Sequence, residues 1–167
     1  MTGVLPGPPP GLGGAPRAFY EELLRMLAAV RPARLDPRQS RATFEGRGVE
    51  VLLAHAERDE WIVWASVGER DAIAGAGWAH EHFFAPDPGE VNGRPWTTEI
   101  ADFVAELLRG EIEIRTTYRG DSPIAVSHWN HDDRGEPGLV WKTTFLTPAR
   151  LLVWRPKRTE AERLSFL

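Results

Sequence analysis

The sequence contains no cysteine and only two lysines among its 167 residues. The absence of cysteine excludes a disulfide framework, zinc sites built from thiolates and cysteine nucleophiles. No apolar run approaches the roughly 18 residues of a membrane span. The N-terminal segment also lacks the basic start and the apolar core of a signal peptide. We therefore expect a soluble, cytoplasmic protein that has no membrane partner.

Basic residues are also outnumbered by acidic ones. The chain has 20 Lys and Arg against 24 Asp and Glu, which gives a net charge of −4. A general nucleic-acid binder needs a basic surface that neutralises phosphates. The charge balance therefore argues against nucleic acid as a partner.

The length of the chain and its 42% hydrophobic content fit one compact domain with a single core. Residues 3–16, GVLPGPPPGLGGAP, are dominated by Gly and Pro, which disfavour both helix interiors and paired strands. We expect residues 1–16 to be a flexible arm and residues 17–167 to form one domain.

Two segments have the apolar spacing of amphipathic helices. The first begins near Pro16 and ends at Pro32, and the second runs from about Thr97 to Arg109. Gly110 follows the second segment and provides the left-handed residue that commonly ends a helix. A third, short helix is predicted after Thr159, which can cap its first turn.

The remaining segments alternate between apolar and polar residues or form short β-prone runs. Their connections are too short for repeated parallel crossovers. The pattern predicts an α+β fold: a mostly antiparallel sheet of about seven to nine strands, an N-terminal helix, a central helix packed on the sheet and a short C-terminal helix. The run WIVWASV is apolar on both sides, which predicts a central strand covered on both faces.

Four histidines lie at or near predicted strand ends, in two separate segments. His80 and His82 share one strand face, because side chains at i and i+2 point the same way. His128 and His131 precede Asp132 in a polar turn. If the two segments meet, their nitrogen and oxygen atoms suit a divalent transition metal. The alternative is that the histidines are half-exposed strand residues and that the turn is an ordinary hairpin loop, and the sequence favours this alternative.

Other arrangements that support catalysis are weak or missing. His55 is two residues from Glu57, a spacing that favours a local strand-end contact over an acid–base pair. Ser66 lies in WASVG, which is not the strained elbow of a serine hydrolase. No glycine-rich loop follows a strand and begins a helix, as a phosphate-binding loop requires.

The seven tryptophans are the most unusual feature of the composition. Tryptophan fills cores and is also enriched at protein interfaces. Because Trp61 and Trp64 differ by three positions on one strand, they point to opposite faces. An aromatic sheet face is therefore predicted as a binding surface. Its candidate residues are Trp61, Trp64, Trp78, Trp129, Trp141 and Trp154.

We therefore expect a non-enzymatic domain that binds another protein through this aromatic face and needs no cofactor. The partner is a different protein or a second copy of the chain in a homodimer. The order of helices and strands is similar to that of small bacterial adaptor, secretion-chaperone and toxin-immunity domains, and this resemblance concerns the fold alone. The alternative hypothesis is a metal-dependent enzyme or small-ligand binder that uses the histidine and aspartate residues.

Overall fold

The computed structural model of the chain describes residues 4–77, 79–86, 95–131, 137–144 and 156–167. In these residues the predicted α+β class with antiparallel strands is confirmed, and the strands form two sheets. The helices and strands are α1 (Gly14–Val30), β1 (Arg41–Glu45), β2 (Gly48–Ala54), β3 (Ile62–Val67), β4 (Asp71–Ala76), β5 (Ala79–Phe84), α2 (Trp96–Arg109), β6 (Ile112–Arg119), β7 (Ser122–His131), β8 (Pro137–Thr144) and β9 (Lys157–Arg163).

The first five strands form sheet 1, an antiparallel meander in the order β1-β2-β3-β4-β5. The other four form sheet 2, in the order β8-β7-β6-β9. The prediction of a single sheet is therefore wrong. Alternation identifies strands one at a time, but it carries no information about which distant strands pair.

The predicted C-terminal helix is also wrong. Residues Lys157–Arg163 form β9, which pairs with β6, and the Oγ1 atoms of Thr159 and Thr117 lie 3.3 Å apart across the two strands. Every side chain of β9 is exposed. Its charged sequence favours a helix locally, and pairing with β6 overrides that preference. The predicted helix at 97–109 is confirmed and ends at Gly110, whose φ is 73°.

Both helices pack on the same side of sheet 1. The apolar positions of α1 and α2 recur every three or four residues, so each helix presents one stripe to the strands. Phe19 and Leu23 of α1 are fully buried, as are Ile100 and Leu107 of α2. None of the helices in the described residues is long and apolar enough to cross a membrane.

The N-terminal segment contacts the domain before α1 begins at Gly14. Leu5 and Leu12 are buried in the core, and the hydroxyl of Tyr20 donates a hydrogen bond to the carbonyl of Pro6 at 2.7 Å. The predicted mobility of residues 1–16 stays a prediction. These contacts nevertheless show that part of the segment packs against the remainder of the domain.

Candidate functional site

Sheet 1 has two different faces, because successive residues of a strand point to opposite sides. The inner face packs against α1 and α2. Neither of the two described helices packs on the opposite side, which we call the outer face. The outer face includes Arg41, Thr43, Glu45, Glu50, Leu52, Ile62, Trp64, Ser66, Asp71, Ile73, His80, His82 and Phe84. Strand β3 is the central strand of sheet 1, as predicted, and its side chains are buried on the inner face and half-buried on the outer face.

Four rings on the outer face form a continuous row, which we call the aromatic ladder. The ring centroids of Trp64 and His80 are 6.0 Å apart, and those of His80 and His82 are 5.2 Å apart. His82 then stacks on Phe84 at 6.3 Å with an angle of 14° between the ring planes. Phe84 ends the ladder with 69% of its surface exposed. The ladder thus presents aromatic surface to solvent along the edge strand β5.

A glycine makes the ladder continuous across the sheet. Gly75 of β4 pairs with Trp64 on one side and with His80 on the other, so the indole passes over a position that has no side chain. A Cβ at this position would lie 1.9 Å from the carbonyl oxygen of Ala79. The indole N–H then donates a hydrogen bond to the carbonyl of Gly77 at 3.2 Å. The geometry of β4 therefore fixes the orientation of Trp64.

Beside the ladder, the outer face has a depression of about 310 Å³. The residues that line it include Glu45, Glu50, Asp71 and Ile73, and none of them is basic. Phe84 lies directly across from Asp71 on the neighbouring strand. The outer face therefore combines an aromatic row with an acidic depression.

The structure brings part of the predicted histidine site together. His80 and His82 are neighbours on β5, and His128 of β7 lies close enough for His80 to affect its titration. The side chains of His131 and Asp132 lie outside the described residues. Within the ranges that the structure describes, no three His, Asp or Glu residues are placed to hold a metal ion. The metal hypothesis thus gains no support from the described side chains.

His128 occupies a buried position at the junction of the two sheets. Its ring is fully buried and lies 5.4 Å from the ring of Phe103 in α2. Burial, with a smaller contribution from His80, lowers the pKa of His128 from 6.5 to about 4. At neutral pH this histidine is therefore an uncharged packing residue.

His55 is also a packing residue. Its Nδ1 atom accepts a hydrogen bond from the backbone N–H of Glu57 at 3.1 Å, and its ring packs against Trp61 and Phe166. The contact between His55 and Glu57 therefore uses the backbone of Glu57, and the carboxylate takes no part in it. This arrangement does not form an acid–base pair.

The three described tryptophans of the predicted surface lie in different places. Trp64 is on the outer face. Trp61 donates a hydrogen bond from its indole to Glu162 of β9 at 2.6 Å. Trp129 in sheet 2 donates to Ser127 at 2.8 Å, and the guanidinium of Arg115 lies 4.3 Å from its ring centroid. Polar partners within the domain therefore hold Trp61 and Trp129 in place, and the structure does not bring the three indoles onto one surface.

The structure does not describe the side chains of the other three candidate tryptophans. Trp78 and Trp154 lie outside the described residues, and Trp141 is described only as a backbone position of β8. Conversely, sequence reasoning missed Ile73 and Phe84, which the outer face does contain. The alternation in DAIAGA, where Ile73 is the one large residue, is the signal that marks the open side.

No protein-family model, curated protein or solved structure matches this chain. Its function must therefore be inferred from its own side chains. Among the described residues, the outer face places aromatic, aliphatic and acidic groups side by side.

Proposed function

We propose that the protein is a non-enzymatic binding domain whose outer face docks a partner protein. An adaptor, a chaperone-like and an immunity-like role all use such a surface. The observation that carries the proposal is the aromatic ladder from Trp64 to Phe84, on the face opposite α1 and α2. Phe84 leaves 69% of its surface exposed at the end of this row, and aromatic residues are prominent among those that dominate the energetics of protein interfaces.

The charges of the outer face indicate the chemistry of the partner. The depression beside the ladder is lined by three acidic residues and by no basic residue. Complementary charges steer association and disfavour wrong partners. We therefore infer a partner segment in which apolar side chains cover Phe84 and Ile73 while a Lys or Arg enters the depression near Glu50 and Asp71.

A matched pair of variants tests the proposal in a pull-down from native extract. Phe84→Glu and Leu139→Glu make the same kind of change at exposed apolar residues, because 69% of Phe84 and 52% of Leu139 are exposed. Leu139 lies on β8, in the other sheet. Wild type and L139E should recover the same partner, whereas F84E should reduce the recovery about tenfold or more, as expected for a central interface residue.

Two results would contradict the proposal. In the first, the wild-type protein recovers no partner at low salt. In the second, F84E and L139E recover a partner equally well, which would place the contact away from the outer face. Circular dichroism of both variants should match that of the wild-type protein, because neither residue contributes to the core.

A further inference from the structure

Strand β1 forms one edge of sheet 1, and no strand pairs with its outer side in the part of the chain that the structure describes. The strand has the sequence RATFE with alternating exposure: Arg41, Thr43 and Glu45 are exposed, and Ala42 and Phe44 are half-buried. The ring of Phe44 packs edge-on against Tyr20 of α1. An exposed strand edge of this kind is a template for pairing with another chain.

The hairpin turn determines which backbone groups of β1 point outward. β1 and β2 are joined by the two residues Gly46 and Arg47, and Gly46 has a φ of 57°. In a two-residue hairpin the residues that flank the turn, here Glu45 and Gly48, bond to each other. Since bonded and outward-facing positions alternate, the N–H and C=O groups of Ala42 and Phe44 point away from β2.

We propose that β1 pairs in antiparallel register with β1 of a second copy of the chain, about a two-fold axis at Thr43. In this register Arg41 of each copy lies opposite Glu45 of the second copy. Ala42 lies opposite Phe44 of the second copy, and the two Thr43 residues face each other. The outward-facing backbone groups of Ala42 and Phe44 in one strand then bond to those of Phe44 and Ala42 in the other. Two five-stranded sheets thus become one sheet of ten strands.

Charge complementarity selects a second copy as the occupant. Read in the reverse direction, RATFE has the opposite order of charges, so antiparallel self-pairing makes two Arg–Glu pairs and one Thr–Thr pair. Opposite charges and Thr–Thr pairs directly across a sheet are favourable, whereas like charges are unfavourable. Within the described chain Arg41 and Glu45 form no ion pair of their own, so both are available for the contact.

Side-chain size also fits this register. Each large Phe44 lies opposite the small Ala42 of the second copy on the inner face, so the two Phe44 side chains do not face each other. A contact of five residues per chain is small, and we expect association to be weak and dependent on protein concentration. The β1 edge is separate from the aromatic ladder of β3 and β5, but Glu45 belongs both to this edge and to the acidic depression of the proposed partner site.

A charge-swap cycle on the full chain tests the dimer by sedimentation equilibrium at low salt. Arg41→Glu places Glu opposite Glu45 of the second copy, and Glu45→Arg places Arg opposite Arg41. Each single variant should weaken dimerisation about thirtyfold, since two attractive pairs become repulsive. The double variant R41E/E45R restores both pairs and should dimerise like the wild-type protein.

Arg47→Glu is the control, because it makes the same charge change in the turn, outside the paired register. It should leave the dissociation constant within about twofold of wild type. The proposal is overturned if the wild-type protein is monomeric up to about 1 mM, a concentration at which even weak complexes form. It is also overturned if R41E dimerises normally, or if the double variant is as weak as the single ones.

Discussion

The two faces of sheet 1 use side chains in opposite ways. Along β4 the inner positions are all alanine, whereas the outer face has Ile73. The large side chains of the core come mainly from the helices, as with Phe103 and Leu107 of α2. On the outer face the large side chains belong to the strands themselves, and no helix covers them in the described part of the chain.

The residues of the inner face therefore stabilise the fold, whereas those of the outer face are available for binding. Small residues under the helices let the helix axes approach the sheet closely, so the helices supply the buried apolar area. Phe84, by contrast, leaves 69% of its surface in solvent and contributes little to folding. The proposed binding role is based on the aromatic residues of the outer face, which contribute little to the stability of the fold.

The largest expected effect concerns His128 of β7, which is fully buried beside Phe103 of α2. Its pKa is 6.5 in the unfolded chain and about 4 in the folded protein, so folding favours the neutral form. The contribution of His128 to the free energy of unfolding is fully present above pH 6.5. It decreases by about 3 kcal/mol as the pH falls to 4. Chemical denaturation at several pH values should show this loss in the wild-type protein.

His128→Phe keeps a ring against Phe103 and removes the titration. The difference in unfolding free energy between this variant and the wild-type protein should widen in favour of H128F as the pH falls from 6.5 to 4. Carboxylates common to both proteins cancel in that difference. Parallel pH profiles would show that His128 is not shielded from solvent as described.

A second prediction compares two consecutive phenylalanines on opposite faces. Phe83 points inward and its ring lies 5.6 Å from that of Phe103, whereas Phe84 points outward. Phe83→Ala should reduce the unfolding free energy by about 2 kcal/mol, because it removes a packed ring. Phe84→Ala should change it by less than about 0.5 kcal/mol. Equal losses in urea denaturation would contradict the assignment of the two faces.

The smallest predicted effect concerns an acidic residue under α2. Glu81 points from β5 toward the helix, and burial together with Glu106 raises the pKa of its carboxyl group. Glu81→Gln should therefore stabilise the protein at pH 7, by a few tenths of a kcal/mol after solvent screening. The gain should shrink as the pH falls, because the wild-type carboxylate then becomes protonated.

The same substitution at an exposed position of α2 is the control. Glu99 lies in the first turn of the helix, where a negative charge interacts favourably with the helix dipole. Glu99→Gln should lower the thermal midpoint slightly, whereas Glu81→Gln should raise it. Shifts of the same sign in both variants would show that the environment of Glu81 is not a desolvated one.

Much of the fold could be predicted from the sequence because it depends on local patterns. Alternation located the strands of sheet 1, and apolar spacing with Gly110 located α2. The split into two sheets could not be predicted, since pairing between distant strands depends on contacts that no local window contains. For the same reason, the charged run at Lys157–Arg163 was wrongly predicted to be a helix.

The candidate site was harder to predict than the strands. Alternation separated Trp61 from Trp64, but the sequence does not say which face the helices cover. Trp61 has a partner distant in sequence, Glu162, and Trp129 contacts Arg115 of the neighbouring strand, which depends on strand register. Counting tryptophans therefore identified Trp64 and missed Phe84, because exposure is a property of the packed domain.

Site-specific photo-crosslinking tests the central claim most directly. Phe84 is replaced by p-benzoylphenylalanine, which keeps an aromatic side chain at the end of the ladder, and Leu139 is replaced in the same way as the control. After irradiation in native extract, the binding account predicts a discrete protein adduct from position 84 that position 139 does not give. No adduct at position 84, or the same adducts from both positions, would contradict the proposal that the outer face binds a partner protein.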